Sequence, residues 1–558
     1  MKKRKIMALA LASLMSVGVL SSCGKGPGGL GGNVQKESVA DKNKTTLYVA
    51  TFNGGVGYQW LEDAAKRFEN LYKEVSFEEG KKGVTIDLAY DKDNYGGTTL
   101  ADKSLTKDVY FTEGVEYYKY VNAGKVADIT DVVTQPIKSS ISQFEESGKI
   151  EDKLDETMKS YLTAKNGKYY MLPFYDGFYG FTYDVDLFEE EGFYFDSYGD
   201  FIKRGKDETQ ESYDAKKSAG PNGVTGDYDD GLPATYDQFI ELVDYIEQRN
   251  CIPFCYTGSY NDYVSKAFRS FIADYEGEAF RLNYTLRGEN VQLANVDDEG
   301  NVSLYTETIT PDNAYLLKKQ AGNYYALMMQ EKLFGSNKYS GGIWNAFDYT
   351  EAQRVFITSK YSTTRYAMLV EGVWWENEAT PVFDDMYTLK GEKKSSRRFG
   401  LLPIPKQSAE RAGEQTMFSS NSSFAFINAD CKQMKLAKEF MRFLHTDAEM
   451  SKFTAKTSIT RSLKYQVSAN DRAAATYFGK TVIDMRAKAT VVYPYSAVDL
   501  VLNNPAQFTE QMWYLTSDVN GQTRNNPFTA FKDGKANAVQ YFNGLYTRQF
   551  AVWKTLER

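Results

Sequence analysis

The side chains best suited to covalent or metal chemistry are scarce, because the 558 residues include only four cysteines and one histidine. Cys251 and Cys255 flank Ile-Pro-Phe in a predicted strand, where extended chain separates them by about 13 Å, too far for a disulfide. A metal site there would need further ligands, and His445 lies far along the chain in a helical pattern. We therefore predict two buried thiols, no disulfide framework and no metal site.

Other catalytic patterns are also missing from the sequence. Asp91 to Gly96 is similar to the start of a calcium loop, but Tyr95 takes the fifth position and Asp102, not Glu, the twelfth. The chain has no Gly-x-Ser-x-Gly and no His-Glu-x-x-His, and Gly479-Lys480-Thr481 lacks the earlier glycine of a phosphate loop. Triad chemistry would depend on His445 alone. No cofactor is predicted.

Cys23 follows an N-terminal segment that is typical of export. Met1 to Lys5 is basic, and the mainly apolar segment from Ile6 to Leu20, fifteen residues long, is shorter than the roughly 20 residues that span a bilayer. Leu20-Ser21-Ser22-Cys23 resembles a bacterial lipobox, although an ordinary signal peptide with a chance cysteine is the alternative. We predict a signal peptide at 1–22, a lipid on Cys23, and a flexible glycine-rich tether at 23–44. The protein would then be extracytoplasmic, held to the outer face of the cell membrane by its lipid only.

Composition indicates a folded, acidic protein of more than one domain. Charged residues make up 25% and hydrophobic residues 42%, as in ordinary globular proteins. Since the chain is too long for a single core, at least two domains are expected. A net charge of −8 argues against nucleic acid or anionic lipid as a partner. The 42 tyrosines, against 34 phenylalanines and 6 tryptophans, suit a hydrated binding cleft.

The elements that must position a site alternate between strands and helices. Strands are predicted at 46–51, 84–88 and 108–111, with an amphipathic helix at 58–75 between the first two. This order indicates an α/β lobe with parallel pairing. A second α/β section is predicted from further strands at 252–256, 366–370, 400–404 and 424–427, and from helices that begin after Thr235, near Tyr263, near Ala314 and after Asp430. The polar stretches 196–230 and 276–312 are predicted to be surface insertions.

Several landmarks follow this framework in order. They are LYVATFNGG and WLEDAAKRFE near the start, DVYFTEG and KVADITD after them, then LPFYDGFYGFTYDVDLF, LPATYDQFIELVDYI, RYAMLVEGVWWENE, RFGLLPIPK and KLAKEFMRFL. Behind a lipobox, this series resembles the extracellular solute-binding proteins of family 1, the sugar-binding receptors of ABC importers. The chain departs from that family in its length, its two insertions and its doubled Trp374-Trp375.

The resemblance implies a periplasmic-binding-protein type II fold, in which crossing hinge strands join two α/β lobes and the ligand lies between them. Lobe 1 would comprise 45–172 plus 402–465, and lobe 2 would comprise 173–401 plus 466–558. It also implies a monomer that binds a carbohydrate, most simply an oligosaccharide. The other implied partners are the permease subunits of an ABC importer. A ligand would shift the open–closed balance by its differential affinity for the closed state.

A sugar site needs flat aromatic rings for C–H faces and polar side chains for hydroxyl groups. Adjacent residues of an extended chain point opposite ways, so either Trp374 or Trp375 is expected to face the cleft, and the resemblance favours Trp374 with Glu371 nearby. The other candidate ligand-binding residues lie beside turns and strand ends: Asn53, Gly54, Glu113, Tyr175, Asp176, Tyr179, Tyr256, Tyr260, Asn421, Tyr493 and Trp513. Several could instead be structural, since Asn53-Gly54 and Asp176-Gly177 suit plain turns and Glu113 suits a helix N-terminus.

Three other functions remain compatible with the sequence. An extracellular carbohydrate-active enzyme would also be acidic and rich in aromatic residues, and its paired carboxylates are not recognisable among so many acids. A sensor or adhesin lipoprotein would bind glycans without transport. The same fold could also bind a peptide or a polyamine.

Overall fold

The computed structural model describes residues 41–341, 347–420 and 422–558. The predicted signal peptide, Cys23, the tether up to residue 40, and Asn421 lie outside the described residues. Among the residues described, no helix combines the length and the apolar character needed to cross a membrane.

The first lobe is built on a five-stranded sheet. Its strands stand in the order Val84–Asp91, Thr45–Phe52, Val109–Glu113, Ser423–Ile427 and Met171–Pro173. The first three are parallel to one another, and Ser423–Ile427, from late in the chain, runs antiparallel to both of its neighbours. Helix Gln59–Leu71 buries Trp60, Leu61 and Phe68 against this sheet, which confirms the predicted strand–helix–strand opening.

The second lobe is built on a four-stranded sheet in the order Ile252–Tyr256, Tyr366–Gly372, Tyr179–Asp184 and Phe399–Leu402. The first two strands are parallel, and Tyr179–Asp184 runs antiparallel between its neighbours. Thr235 caps the following helix as predicted, because its side chain accepts a hydrogen bond from the Gln238 amide. Cys251 and Cys255 are buried free thiols, also as predicted.

The chain passes between the lobes more than once. It leaves the first sheet at Pro173 and enters the second at Tyr179, and it returns after Leu402 to the strand Ser423–Ile427. On the way back, Thr416–Phe418 pairs in parallel with Thr490–Val492. Two α/β lobes joined by crossing segments confirm the predicted fold class. The exact lobe boundaries stay a prediction.

The helices of the described residues have the following bounds: Gln59–Leu71, Gly97–Asp102, Tyr117–Asn122, Thr130–Thr134, Glu156–Leu162, Val185–Glu191, Gln210–Asp214, Tyr236–Gln248, Asp262–Glu276, Leu282–Thr285, Ala321–Phe334, Tyr349–Thr358, Trp375–Glu378, Thr380–Lys390, Met434–Leu444, Asp447–Thr457, Ala469–Ala474, Tyr477–Lys488, Asp499–Asn503, Pro527–Lys532 and Ala538–Trp553. Four small antiparallel hairpins complete the secondary structure: Pro136–Lys138 with Glu145–Lys149, Tyr194–Phe195 with Phe201–Ile202, Gly288–Val296 with Val302–Ile309, and Ser517–Val519 with Gln522–Arg524.

Three local predictions need correction. Asp430 does not cap the helix that follows it, because that helix begins at Met434 with Gln433 as its N-cap. The predicted helix near Ala314 is a 3₁₀ turn, Ala314–Lys319, before the α-helix Ala321–Phe334. The predicted insertions are not confined to the surface, because Leu293 in one and Asp229 in the other are fully buried.

Candidate functional site

Trp374 lies at the contact between the two lobes. A Cβ added to Gly55, in the loop after the first strand, would lie 2.3 Å from the Cδ1 of Trp374. A Cβ added to Gly372, at the end of a second-sheet strand, would lie 2.3 Å from the far edge of the same indole. The ring of Tyr179 meets the indole edge-on, with 5.0 Å between ring centres. Two glycines from different lobes therefore create the space that Trp374 occupies.

Buried carboxyl groups lie around this tryptophan. Glu371 is 3% exposed, and its Oε1 accepts a hydrogen bond of 3.0 Å from the Gly372 amide. The Oε2 of Glu371 is buried without a hydrogen-bond donor among the described residues. Burial, and then the nearby charge of Glu378, raise the pKa of Glu371 well above its ordinary value. The carboxyl group of Glu371 also interacts with the side chain of Gln353, and it is a buried polar group that could exchange hydrogen bonds with a ligand hydroxyl.

Glu378 and Glu113 complete the group. The Oε2 of Glu378 accepts a hydrogen bond of 2.8 Å from the side-chain amide of Gln353, and burial raises the pKa of its carboxyl group. Burial also raises the pKa of Glu113 to about 7, although a hydrogen bond from Tyr175 and the charge of Lys92 oppose the shift. Glu113 comes from the first lobe and Glu378 from the second, and the charge of Glu378 also raises the pKa of Glu113.

Lys92 makes a direct polar contact across the cleft. Its ammonium donates to the Tyr349 hydroxyl at 3.2 Å and lies 5.1 Å from the centre of that ring. Tyr260, which is half exposed, places its ring 5.6 Å from the ring of Tyr349. Sequence reasoning missed Lys92, Tyr349 and Gln353. Only Lys92 carried a usable signal, since it directly follows a strand of the first sheet.

A cavity of about 280 Å³ lies near the crossing segments, bounded by Ser420 and Ser422 on one side and by Trp513 and Tyr514 on the other. The Nε1 of Trp513 donates to Asn283 at 3.2 Å, and the ammonium of Lys318 lies 3.8 Å from its ring centre. Trp513 therefore lines this open space.

Four predicted site residues are buried and make their contacts within the protein, which favours a structural role. The carboxylate of Asp176 is fully buried and accepts hydrogen bonds from Thr460 at 2.7 Å, Arg486 at 3.1 Å and the hydroxyl of Tyr493 at 3.0 Å. These bonds leave neither Asp176 nor the Tyr493 hydroxyl directed at a ligand. We therefore assign both residues to the crossing between the lobes and remove them from the proposed site.

The other two structural residues lie in aromatic cores. Trp375 is fully buried, and its ring centre lies 5.1 Å from that of Phe399 and 5.6 Å from that of Phe478. Tyr256 is fully buried with its ring 5.3 Å from Phe334. Trp375 opens a short helix instead of continuing the strand, so the expected alternation of an extended chain does not apply. Both residues leave the proposed site.

The remaining predicted residues stay in the proposed site. A Cβ added to Gly54 would lie 2.3 Å from the Phe52 ring and 3.2 Å from the Oε1 of Glu113, so the bare backbone of Gly54 makes room for that ring and brings the loop close to the carboxyl group. The backbone amide of Asn53, next to Gly54, donates to Asp91 at 3.3 Å, which ties this loop to the neighbouring strand. Tyr175 is 2% exposed and reaches the cleft through its hydrogen bond to Glu113.

The raised pKa of Glu113 predicts a pH-dependent stability. Its pKa rises from the ordinary glutamate value of 4.5 to about 7 in the folded protein, so folding favours the protonated carboxyl group. That stabilisation is complete below pH 4.5 and is lost as the pH rises through 7. We expect the melting temperature of the ligand-free protein to fall between pH 5 and pH 8, with up to about 2 kcal/mol from this group.

Glu113→Gln separates this contribution from other titrations. The variant should show a flatter pH profile and a higher melting temperature than the parent at pH 8. Glu116→Gln, at an exposed position nearby, should keep the parent profile. A Glu113→Gln profile that runs parallel to the parent across this range would show that Glu113 does not titrate in this way.

No protein-family profile and no curated protein sequence matches the chain. Several solved structures, however, are similar to the fold of this chain. The cyclic α-maltosyl-1,6-maltose binding protein of Arthrobacter globiformis is 11% identical with a TM-score of 0.50, over 92% of this chain and 100% of that one. The acarbose-binding GacH receptor of Streptomyces glaucescens is 13% identical with a TM-score of 0.49, over 92% and 100%. Apo RafE of Streptococcus pneumoniae is 15% identical with a TM-score of 0.47, over 91% and 99%.

At these identities the likeness is one of fold. The Arthrobacter match extends over nearly the whole chain, so the two-lobed architecture belongs to the body of the protein and not to one part of it.

Proposed function

We propose that this protein is an extracytoplasmic receptor that binds an oligosaccharide between its lobes and delivers it to an ABC importer. The observation that carries the proposal is Trp374, which two glycines from opposite lobes accommodate near the buried carboxyl group of Glu371. A flat ring beside hydrogen-bond acceptors matches the alternating C–H faces and hydroxyl groups of a sugar. Proteins of the same fold bind sugars, as the names of the Arthrobacter and Streptomyces proteins state.

Closure of the lobes would supply the binding energy. The ligand would enter an open form and then contact both lobes, so that it favours the closed form by its differential affinity. In the closed arrangement described, Lys92 reaches Tyr349 and Gly55 packs against Trp374. The proposed site therefore comprises Asn53, Gly54, Glu113, Tyr175, Tyr179, Tyr260, Glu371, Trp374 and Trp513, together with Asn421, which lies outside the described residues.

The lipid on Cys23 and the glycine-rich tether belong to the same proposal. A receptor anchored to the outer face of the membrane would meet its permease at a high effective concentration instead of by free diffusion. The protein would act as a monomer, with the carbohydrate and the permease subunits as partners and no nucleic acid. Mass spectrometry of the membrane fraction tests the anchor, because the lipid should reside on an N-terminal Cys23.

Trp374→Ala tests the site itself. Screening oligosaccharides by thermal shift should identify a sugar that raises the melting temperature, and calorimetry then gives its affinity. Loss of the indole should lower the affinity for that sugar by about 10- to 100-fold, which corresponds to about 1.4–2.8 kcal/mol of binding free energy. Tyr387→Ala, on an exposed part of the second lobe, is the matched control and should bind as the parent does. Unchanged binding by Trp374→Ala would refute this placement of the sugar.

The buried carboxyl groups favour one alternative, an extracellular carbohydrate-active enzyme. Glu113, with a pKa of about 7, and Glu371 could act as an acid and a base. Incubating the protein with its best oligosaccharide for hours distinguishes the two functions. A receptor returns the sugar intact. If the parent protein releases shorter sugars and Glu371→Gln does not, the protein is an enzyme.

A further inference from the structure

Three aspartates come together in the loop 220–231. One carboxylate oxygen from each of Asp227, Asp229 and Asp230 lies within 4.8 Å of the others. Calcium binds oxygen ligands at about 2.3–2.6 Å, so two ligands on opposite sides of one ion are separated by about 4.6–5.2 Å. The spacing of the three carboxylates therefore fits a single ion between them.

Two oxygens in this group are buried without a hydrogen-bond donor. Asp229 is 0% exposed, and only its Oδ2 accepts a hydrogen bond, of 3.0 Å, from the Asn222 amide. Its Oδ1 and the Oδ1 of Asp230 have no donor among the described residues. Burial and a hydrogen bond shared with the side chain of Asp227 raise the pKa of Asp229 to about 8, which reflects the cost of a second negative charge at this place. A cation bound directly to these oxygens would remove that cost.

The charge balance of the loop also leaves room for a cation. The ammonium of Lys488 lies 2.7 Å from Asp227, which also accepts a hydrogen bond of 2.9 Å from the Asn222 side chain. The nearby Lys217 makes its ion pair with Asp214, at 2.8 Å. Among the ion pairs of the described residues, Lys488 thus pairs with one of the three acids, and the charge of Lys217 also acts on Asp230. A divalent cation would balance the negative charge that remains when all three acids are ionised.

We propose that Asp227, Asp229 and Asp230 bind a structural calcium ion. All the side-chain ligands are hard carboxylate oxygens, which suit calcium and not zinc. Calcium accepts irregular geometry from such loops, whereas magnesium requires a near-ideal octahedron and keeps more water. This site replaces the prediction, made from sequence, that the chain has no metal site.

The ion would join the loop to the crossing between the lobes. Lys488 ends helix Tyr477–Lys488, and Arg486 of the same helix donates to the buried Asp176. Ordering the loop around calcium would keep Asp227 in place as the partner of Lys488. The ion would therefore stabilise the packing of the loop against this helix, independently of any ligand in the cleft.

Calcium titration of the ligand-free full chain, first treated with EDTA, tests the site. We expect about 5 mM calcium to raise the melting temperature by about 1–3 °C, with a dissociation constant on the order of 10⁻⁴–10⁻³ M. Terbium should also bind and gain luminescence from the adjacent Tyr228 ring, and calcium should displace it. No calcium response in the parent protein, or an equal response to magnesium, would overturn the assignment.

Two variants locate the response. Asp229→Asn/Asp230→Asn should lose the calcium shift and the terbium signal. If this double variant does not fold, Asp230→Asn alone serves instead and should lower the affinity for calcium at least tenfold. Asp298→Asn/Glu299→Gln, in the exposed turn of another hairpin, removes two charges as a control and should respond as the parent does. A full response from Asp230→Asn in the presence of calcium would place the ion elsewhere and overturn the proposal.

Discussion

Replacing Gly55 by valine should prevent the lobes from closing and lower the affinity for the oligosaccharide by more than about 100-fold, or about 3 kcal/mol of binding free energy. Even a single Cβ at this position would lie 2.3 Å from the Trp374 ring, and both the loop and the indole are held by their own lobes. Gly55 is not in the left-handed backbone region, so valine is compatible with the backbone itself. The open form should therefore fold normally while the closed form is excluded.

Small-angle scattering measures this effect directly. The ligand-free Gly55→Val protein should have a radius of gyration equal to or larger than the parent, and saturating sugar should not reduce it. Gly413→Ala is the control, because a Cβ there would lie 3.9 Å from the nearest atom, the carbonyl oxygen of Arg411. If Gly55→Val compacts with sugar as the parent does, the contact between Gly55 and Trp374 is not part of closure.

Asp176→Ala should lower the stability of the whole body, by about 3 kcal/mol. The buried carboxylate receives hydrogen bonds from Thr460, Arg486 and Tyr493, so its loss leaves a guanidinium and two hydroxyl groups without their acceptor. Removing one member of a buried ion pair costs about 3–5 kcal/mol, and partial exposure of Arg486 places this case at the lower end.

Calorimetry and urea unfolding give the size of this change. Asp499→Ala is the matched control, because its ion pair with Lys165 is exposed on both sides and such pairs contribute 0–1 kcal/mol. The ligand affinity of Asp176→Ala at low temperature is also informative. A large loss of affinity with no loss of stability would return Asp176 to the binding site and contradict the structural role assigned to it.

Much of the fold was predictable because its signals are local. Apolar spacing in the helix Gln59–Leu71 and the side-chain cap of Thr235 depend on residues that are neighbours in sequence. The helix after Asp430 was misplaced because its start, at Met434, has no side-chain cap to mark it. Local patterns also predicted the polar character of the insertions, but they did not predict that Asp229 is buried.

The site was less predictable, because its parts come from distant segments. The sequence predicted that one of Trp374 and Trp375 faces the cleft, and the resemblance favoured Trp374. Packing supplies the physical distinction, since Phe399 and Phe478 enclose Trp375 while Gly55 faces Trp374. Asp176 looked like a ligand contact because nothing near it in sequence reveals Arg486 as its partner. Lys92 and Tyr349 meet only when the two sheets are assembled.

The sequence by itself determined the α/β class, the order of strands and helices, the expected export signal at Cys23 and the aromatic, acidic character of the cleft. The tertiary structure decided which of those aromatic and acidic side chains remain available. It also brought Asp227, Asp229 and Asp230 around one point and left two of their oxygens without donors. The physical reason is that periodicity depends on neighbours along the chain, whereas burial and hydrogen-bond satisfaction depend on segments that meet only in the folded protein.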